Sequence, residues 1–374
     1  MTARVALIMA GGTGGHVFPA LAVARVLRER GMHPVWLGTM RGMESKLVPQ
    51  HHIELEWIEV GGVRGKGMTT MLRAPFVLTR AVWQAIRIIH KRKPLVVFGA
   101  GGFASGPGGI AAWLTRTPLV IHEQNAIAGM TNRALAHFAK RVFSAFPAVN
   151  NRHALKHAEC VGNPVRRELS SLPVPAERFA NRVDAMRVLI IGGSQGARHL
   201  NAVVPQALAL LRSHERPQVI HQAGDRHFAD TQTRYRELNV NAEVKDFIHD
   251  MAAMYAWADL VICRAGALTV SELAAAGLGA LLVPFPAAVD DHQTFNAQFL
   301  VNAGAALLIQ EKDLTPQRLA DALHNLLSQG RQHLLQMAER ARAQAIVDAD
   351  VRIADACMQL AGLPVNTMPA EVMS

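Results

Sequence analysis

Residues 5–16 read VALIMAGGTGGH, and residues 187–198 read RVLIIGGSQGAR. Each stretch is a run of β-type residues, a glycine-rich turn and the opening of a helix. That arrangement aims backbone N–H groups and the positive end of a helix dipole at an anion, commonly a phosphate. The unit occurs twice, about half a chain apart. It predicts two similar α/β domains facing each other across one phosphate-bearing ligand.

The surrounding rhythm agrees. Strand-like runs at Val5–Ala10, His33–Leu37, Leu95–Phe98, Leu119–His122 and Val142–Ser144 alternate with amphipathic stretches, which means βαβ units and a parallel sheet. The second half repeats the pattern at Arg187–Ile191, Gln218–His221, Leu260–Ile262 and Ala280–Pro284. Residues 1–162 are expected as one domain and 186–345 as the other, with a polar, proline-punctuated linker at 163–185. The helix expected at 346–362 is read as returning to the first domain, and 363–374 as a disordered tail.

At 374 residues the chain is too long for one core and suits two. Half of it is apolar and only 5% aromatic, as in folds with many close helix–strand contacts. Cys160, Cys263 and Cys357 are odd in number and far apart, which excludes a disulfide framework and favours a reducing compartment. The amino terminus lacks signal-peptide architecture, and no apolar run is long enough to span a bilayer. The net charge of +10 is uneven: residues 1–165 hold 20 Lys and Arg against 7 Asp and Glu, and the remainder 19 against 22. An anionic partner is therefore expected for the first half.

The turn Gly11-Gly12-Thr13-Gly14-Gly15-His16 is neither a dinucleotide fingerprint, since Val17 takes the third glycine position, nor a Walker A loop. His16 falls at a helix start, where the dipole disfavours imidazolium; it reads either as a base or as a helix cap. A third glycine-rich segment, 98–109, follows another strand. His122-Glu123-Gln124-Asn125 ends the next, as site residues or as a structural hydrogen-bond network. In Arg264–Glu272 a strand, small-residue turn and helix recur, with Glu272 placed to accept both hydroxyls of a ribose. Asp290–Asn296 carries amides suited to sugar hydroxyls. The sole DxD, Asp348–Asp350, reads as solvated.

Arg64-Gly-Lys-Gly67 leads into a helix expected over Met68–His90. Leu72, Phe76, Thr79, Trp83 and Ile86 form a stripe, with Arg73, Arg80 and Arg87 beside it. Such a helix covers a sheet, rests on anionic lipid, or does both. The basic residues form no recognition-helix motif, so nucleic acid is not expected.

GGTGGH at 11–16, RGKG at 64–67, GGFASGP at 101–107, HEQNAIAG at 122–129, GNPVR at 162–166, GGSQGA at 192–197, DFIHDMAAMYAWAD at 246–259, RAGALTVSE at 264–272 and DDHQTFNA at 290–297 together resemble the MurG family. These are the bacterial N-acetylglucosaminyltransferases that convert lipid I to lipid II in peptidoglycan synthesis. The resemblance runs from residue 4 to about 360. It implies a GT-B fold, α/β, of two Rossmann-like doubly wound domains with parallel sheets facing across a cleft.

The same resemblance implies an inverting transfer from UDP-N-acetylglucosamine to the 4-hydroxyl of the muramic acid of undecaprenyl-linked lipid I. The Ile248 main chain would read uracil and Glu272 hold the ribose. Ser194 and the helix start Ala267, Leu268, Thr269, Val270 and Ser271 would meet the diphosphate with Arg166. Gln293 and Asn296 would hold the sugar, with Thr13, Gly14, Gly15 and Asn125 reaching in from the first domain. His16 is the expected base, with Glu123 second to it. Leu72, Phe76, Trp83, Arg73 and Arg80 would touch the cytoplasmic face of the inner membrane, where the protein is peripheral and meets cell-wall synthesis and division complexes. No cofactor and no metal are expected. One departure is Phe103, where the family often has Tyr. A dehydrogenase, a non-catalytic membrane scaffold and a galactosyltransferase acting on diacylglycerol are the alternatives.

Overall fold

Thirteen strands form in the computed structural model, among the described residues 4–60, 68–148, 155, 157–192, 197–286 and 288–365; at 68–74 and 289 only the backbone is described. The first seven are β1 Val5–Met9, β2 His33–Gly38, β3 Glu54–Trp57, β4 Val96–Gly99, β5 Leu119–Glu123, β6 Arg141–Ser144 and β7 Glu159–Cys160. They make one sheet in the order β3-β2-β1-β4-β5-β6-β7, with every pairing parallel. The other six are β8 Arg187–Ile191, β9 Gln218–Gln222, β10 Glu243–Lys245, β11 Leu260–Cys263, β12 Gly279–Leu282 and β13 Ala306–Leu308. Their order is β10-β9-β8-β11-β12-β13, again all parallel. The fold is α/β, two Rossmann-like doubly wound units.

Parallel strands are covered on both faces, so β1 is apolar at every position. Ala6, Ile8 and Ala10 face one core; Val5, Leu7 and Met9 face the other. Helix Met68–Arg92 covers the second of these through Ala85, Ile88 and Ile89. The first is closed by helix Gly14–Glu29 and, from the far end of the chain, by Ala349, Ile353 and Cys357 of helix Ala349–Leu360. Each buried Val, Leu, Ile or Met among them contributes roughly 1.5–3 kcal/mol, and each Ala less.

Chain contacts give two compact units: Met1–Pro164 with Asp348–Ser374, and Val165–Val347. Residues 165–185, expected within a linker, are folded onto the second unit. Phe179 is part of its core. Arg178 donates to the Tyr255, Ala276 and Gly277 carbonyls, and Arg182 pairs with buried Asp259, which also holds Arg331 at 3.1 Å. Asp350, expected to be solvated, is buried and takes Arg25 at 3.4 Å, fastening the returning helix to helix Gly14–Glu29. Residues 366–374 of the expected tail lie outside the described residues, while Leu363 and Val365 pack against the first core.

Both strand orders reverse beside the strand that comes first in the chain: β1 lies between β2 and β4, and β8 between β9 and β11. At such a switch point the loops leaving neighbouring strands diverge and open a crevice beyond the strands' carboxyl ends. The first glycine turn and the 99–102 segment occupy that position in one unit, and the Arg264–Gly266 turn in the other.

Candidate active site

In the first unit β1 ends at Met9, Thr13 is extended, and helix Gly14–Glu29 begins one residue later. The Gly12 amide is held from behind by the Glu44 carboxylate at 3.0 Å. Glu44 is fully buried and also accepts the Thr39 amide at 3.0 Å and hydroxyl at 2.7 Å. The third glycine-rich segment packs directly on this turn. A β-carbon on Gly102 would lie 2.2 Å from the Gly11 carbonyl oxygen, and one on Gly101 would lie 2.8 Å from His16 Nδ1. These two glycines therefore serve close approach, with φ of +87° and +92°. Phe103 is exposed beside the turn.

The end of β5 supplies a continuous polar network. His16 Nδ1 lies 2.9 Å from Gln124 Oε1, Gln124 Nε2 lies 3.1 Å from His122 Nδ1, and His122 Nε2 lies 2.9 Å from the Gly162 carbonyl oxygen. His122 is fully buried, and burial, its largest influence, pushes its pKa down to about 4. Asn163 Nδ2 donates to the Gln124 carbonyl at 3.1 Å. Glu123 is buried and accepts the Asn125 and Gly129 amides and the Asn132 side chain at 2.9–3.0 Å. That is the geometry of a carboxylate closing the loop 123–132. Asn125 is half-buried in it, and Thr13 and Gly15 are exposed at the turn.

In the second unit Gly266 is extended and helix Ala267–Ala276 follows, so residues 267–271 form a helix start beyond the end of β11. Such a start presents N–H donors and the positive dipole end to an anion. Glu272 lies one turn further on, almost buried. Its Oε2 accepts the Tyr255 hydroxyl at 3.3 Å, and its Oε1 is 3.7 Å from Arg166 Nε. Burial raises its pKa, and the Arg166 charge and the Tyr255 hydrogen bond oppose that rise. Ile248 is buried at the end of the loop after β10.

The expected sugar amides behave differently from each other. Gln293 is half-buried and its Oε1 accepts the Phe285 amide at 2.9 Å. Asn296 is fully buried and donates to the Ala265 carbonyl at 3.2 Å, so it braces the turn before Ala267. Asp290 and Asp291, just ahead of helix His292–Asn302, both adopt left-handed φ of 55° and 52°. Two such residues in succession store strain, and Asp tolerates it better than most. Ser194 and residues 64–67 lie outside the described residues.

Helix Met68–Arg92 presents Phe76 (75% exposed) and Trp83 (56%) away from the core, with the Arg87 guanidinium 4.7 Å over the Trp83 ring. Arg80 pairs with Glu59 at 3.0 Å. Leu72 and Arg73 are on this helix, with side chains outside the described residues. Helix Ser105–Leu114 packs beside it and exposes Trp113 and Leu114, and the Trp113 ring lies tilted against exposed Phe138 with centroids 5.0 Å apart. Sequence reading missed these three because they are scattered over separate elements. It also missed Glu44 and Tyr255, each joined to its partner only by the fold. Among the described residues no helix is long and apolar enough to cross a membrane.

Residues 6–144 match the glycosyltransferase family 28 N-terminal domain and 187–353 its C-terminal domain. The chain is 51% identical over 358 residues to the UDP-N-acetylglucosamine–N-acetylmuramyl-(pentapeptide) pyrophosphoryl-undecaprenol N-acetylglucosamine transferase of Dechloromonas aromatica, covering 96% of this chain and 99% of that one. To the transferase of the same name from Bordetella pertussis it is 54% identical over 361 residues, with the same coverage. Among solved structures, Acinetobacter baumannii MurG is similar with a TM-score of 0.84 and 41% identity over 95% of this chain and 99% of that one. Anabaena HepE, solved with UDP and glucose, shares the fold alone at a TM-score of 0.60 and 18% identity. The chain belongs to glycosyltransferase family 28 and, within it, to the MurG family.

Proposed function

We propose that this protein transfers N-acetylglucosamine from UDP-N-acetylglucosamine to the 4-hydroxyl of the muramic acid of lipid I, giving lipid II for peptidoglycan synthesis. The observation that carries the reading is the match, over 96% of the chain, to transferases bearing that activity in their names. The acceptor oxygen attacks the anomeric carbon from the face opposite UDP. The new glycosidic bond forms as the bond to the β-phosphate breaks, so configuration inverts. The hydroxyl proton passes to His16, and the charge released on UDP is met by the helix start at 267–271 and by Arg166.

Glu272 is assigned to the ribose, Ile248 to the uracil and Ser194 to the diphosphate; Gln293 and Asn296 are assigned to the sugar, with Thr13, Gly14, Gly15 and Asn125 of the first unit. The buried, fully engaged carboxylate of Glu123 supports a role in loop closure, so the base is assigned to His16 alone. No metal is invoked, since the helix start at 267–271 and Arg166 are assigned to the charge on the leaving group. The exposed Phe76–Trp83 face among arginines supports docking on the anionic cytoplasmic face of the inner membrane, where the undecaprenyl tail of the acceptor resides.

Calorimetric titration with UDP-N-acetylglucosamine, UDP-galactose and UDP-glucose tests the donor, and transfer to a lipid I analogue tests the acceptor. Preference for UDP-N-acetylglucosamine with β-1,4 product surviving EDTA is expected. Tighter binding of UDP-galactose, or strict dependence on a divalent metal, overturns the reading.

A further inference from the structure

His16, Gln124, His122 and Gly162 form one continuous line of hydrogen bonds, and its far end dictates its near end. The Gly162 carbonyl is only an acceptor, so His122 Nε2, 2.9 Å away, must carry a proton. In a neutral ring His122 Nδ1 is then a lone pair. Gln124 Nε2 meets that lone pair at 3.1 Å and the His122 carbonyl oxygen at 3.3 Å. Two acceptors on one side fix the amide with its NH2 group toward His122. Its oxygen therefore faces His16, and His16 Nδ1, at 2.9 Å, has to be the N–H. The lone pair of His16 is left on Nε2.

We propose that His122 and Gln124 are positioning residues that hold His16 in its Nδ1–H tautomer, so that Nε2 is the atom that takes the acceptor's hydroxyl proton. The inference deepens the assignment of His16 as base and rests on it. The surroundings are built to keep the line in one state. Burial of His122 keeps its ring neutral near pH 7. Asn163 fixes the Gln124 backbone, and the missing β-carbon at Gly101 leaves room for the His16 ring edge. An amide orients the imidazole as a carboxylate would, without adding negative charge to a unit whose turns receive an anion.

The test uses the full-length protein labelled with 15N-histidine and long-range 1H–15N correlation near neutral pH. The His16 signal is assigned by its disappearance in His16→Ala. The expected result is a His16 Nδ1–H tautomer, turning to a mixture in Gln124→Leu. In that variant kcat falls roughly 10- to 100-fold, a part of what general base catalysis supplies, and the KM for UDP-N-acetylglucosamine holds. Gln124→Glu keeps an acceptor for His16 Nδ1 but turns a second acceptor toward the His122 lone pair, so it retains the His16 Nδ1–H tautomer and recovers only part of the loss. An Nε2–H tautomer in the unaltered protein, or a pure Nδ1–H tautomer in Gln124→Leu, overturns the proposal. A kcat for His16→Ala within about tenfold of the parent instead overturns the base assignment. The two failures are distinguishable because the tautomer is read without turnover.

Discussion

The Glu44 carboxylate reaches back across 32 residues to accept the Gly12 amide at 3.0 Å, while its other oxygen takes the Thr39 amide and hydroxyl. Three neutral donors thus satisfy a fully buried carboxylate directly behind the first glycine turn. Glu44→Ala orphans them in the interior, at about 1–3 kcal/mol for each donor that water cannot reach. The first unit should lose about 2–4 kcal/mol, seen as a lower urea midpoint. Turnover should fall with the displaced turn while UDP affinity is kept, because Glu272 and its partners belong to the other unit. Unchanged turnover in a folded Glu44→Ala protein contradicts a positioning role for this carboxylate.

Two glycines with nearly the same φ make a controlled comparison. Gly31 has φ +80° and nothing within 4 Å of an added β-carbon, whereas Gly102 has φ +87° and meets the Gly11 backbone at 2.2 Å. Gly31→Ala carries only the left-handed strain, about 1–2 kcal/mol. Gly102→Ala adds a backbone collision that must push the two glycine segments apart. Its denaturation midpoint should fall further than that of Gly31→Ala, and its kcat should drop where that of Gly31→Ala does not. Equal behaviour of the two variants rules out the close packing of these turns as a requirement.

The contrast also shows what the sequence revealed. The nine inner strands were legible because most are apolar runs buried on both faces, and even β6 and β9 keep an apolar pair, Val142-Phe143 and Val219-Ile220, at their centre. The four that escaped, β3, β7, β10 and β13, are the outer strands of the two sheets. They are short and carry charged or exposed residues such as Glu54, Glu56, Glu159, Glu243 and Lys245, as edges do. The stretch 165–185 looked like a linker because arginines bonding carbonyls hold it, and a polar anchor leaves no periodic signal. The glycine turns, the HEQN segment and Glu272 stand out in the sequence by local chemistry alone. Glu44 on Gly12 and Tyr255 on Glu272 depend on residues brought together only by the fold.

Acid should destabilise both units from above the ordinary carboxylate range. Burial pushes the pKa of His122 down to about 4 and that of His221 to about 3, from an ordinary 6.5. His221 bonds the Tyr235 hydroxyl at 2.9 Å and Asn201 Oδ1 at 3.1 Å, so its ring too is locked neutral. Below pH 6.5 the unfolded chain binds these protons and the folded chain does not, so stability is complete above 6.5 and declines as pH falls toward 4. Each deferred proton is worth about 1.4 kcal/mol per pH unit over that window. Glu54, Glu56 and Asp184, whose pKa values are lowered, extend the loss in the same direction below 4.5. Urea midpoints should fall steadily between pH 7 and 5, and a flat profile there excludes buried neutral histidines.

Membrane docking should depend on one face of helix Met68–Arg92 and leave the nucleotide seat untouched. Ala85, Ile88 and Ile89 anchor the helix on the core, so replacing outward residues does not disturb the sheet. Phe76 and Trp83 lie seven apart, two helical turns, and share that outward face. Moving each into lipid yields about 1.5–3 kcal/mol, and each arginine near an anionic surface adds about 1 kcal/mol. Phe76→Asp with Trp83→Asp removes the apolar part and adds repulsion, so partitioning onto phosphatidylglycerol vesicles should drop about 100-fold or more. High salt should weaken the parent protein's binding without abolishing it, since only the arginine contribution is screened. Leu210→Asp, an exposed apolar site on the second unit, serves as the control and should bind vesicles as the parent does. UDP affinity should be the same in all three proteins; vesicle binding that survives the double substitution places the docking surface elsewhere.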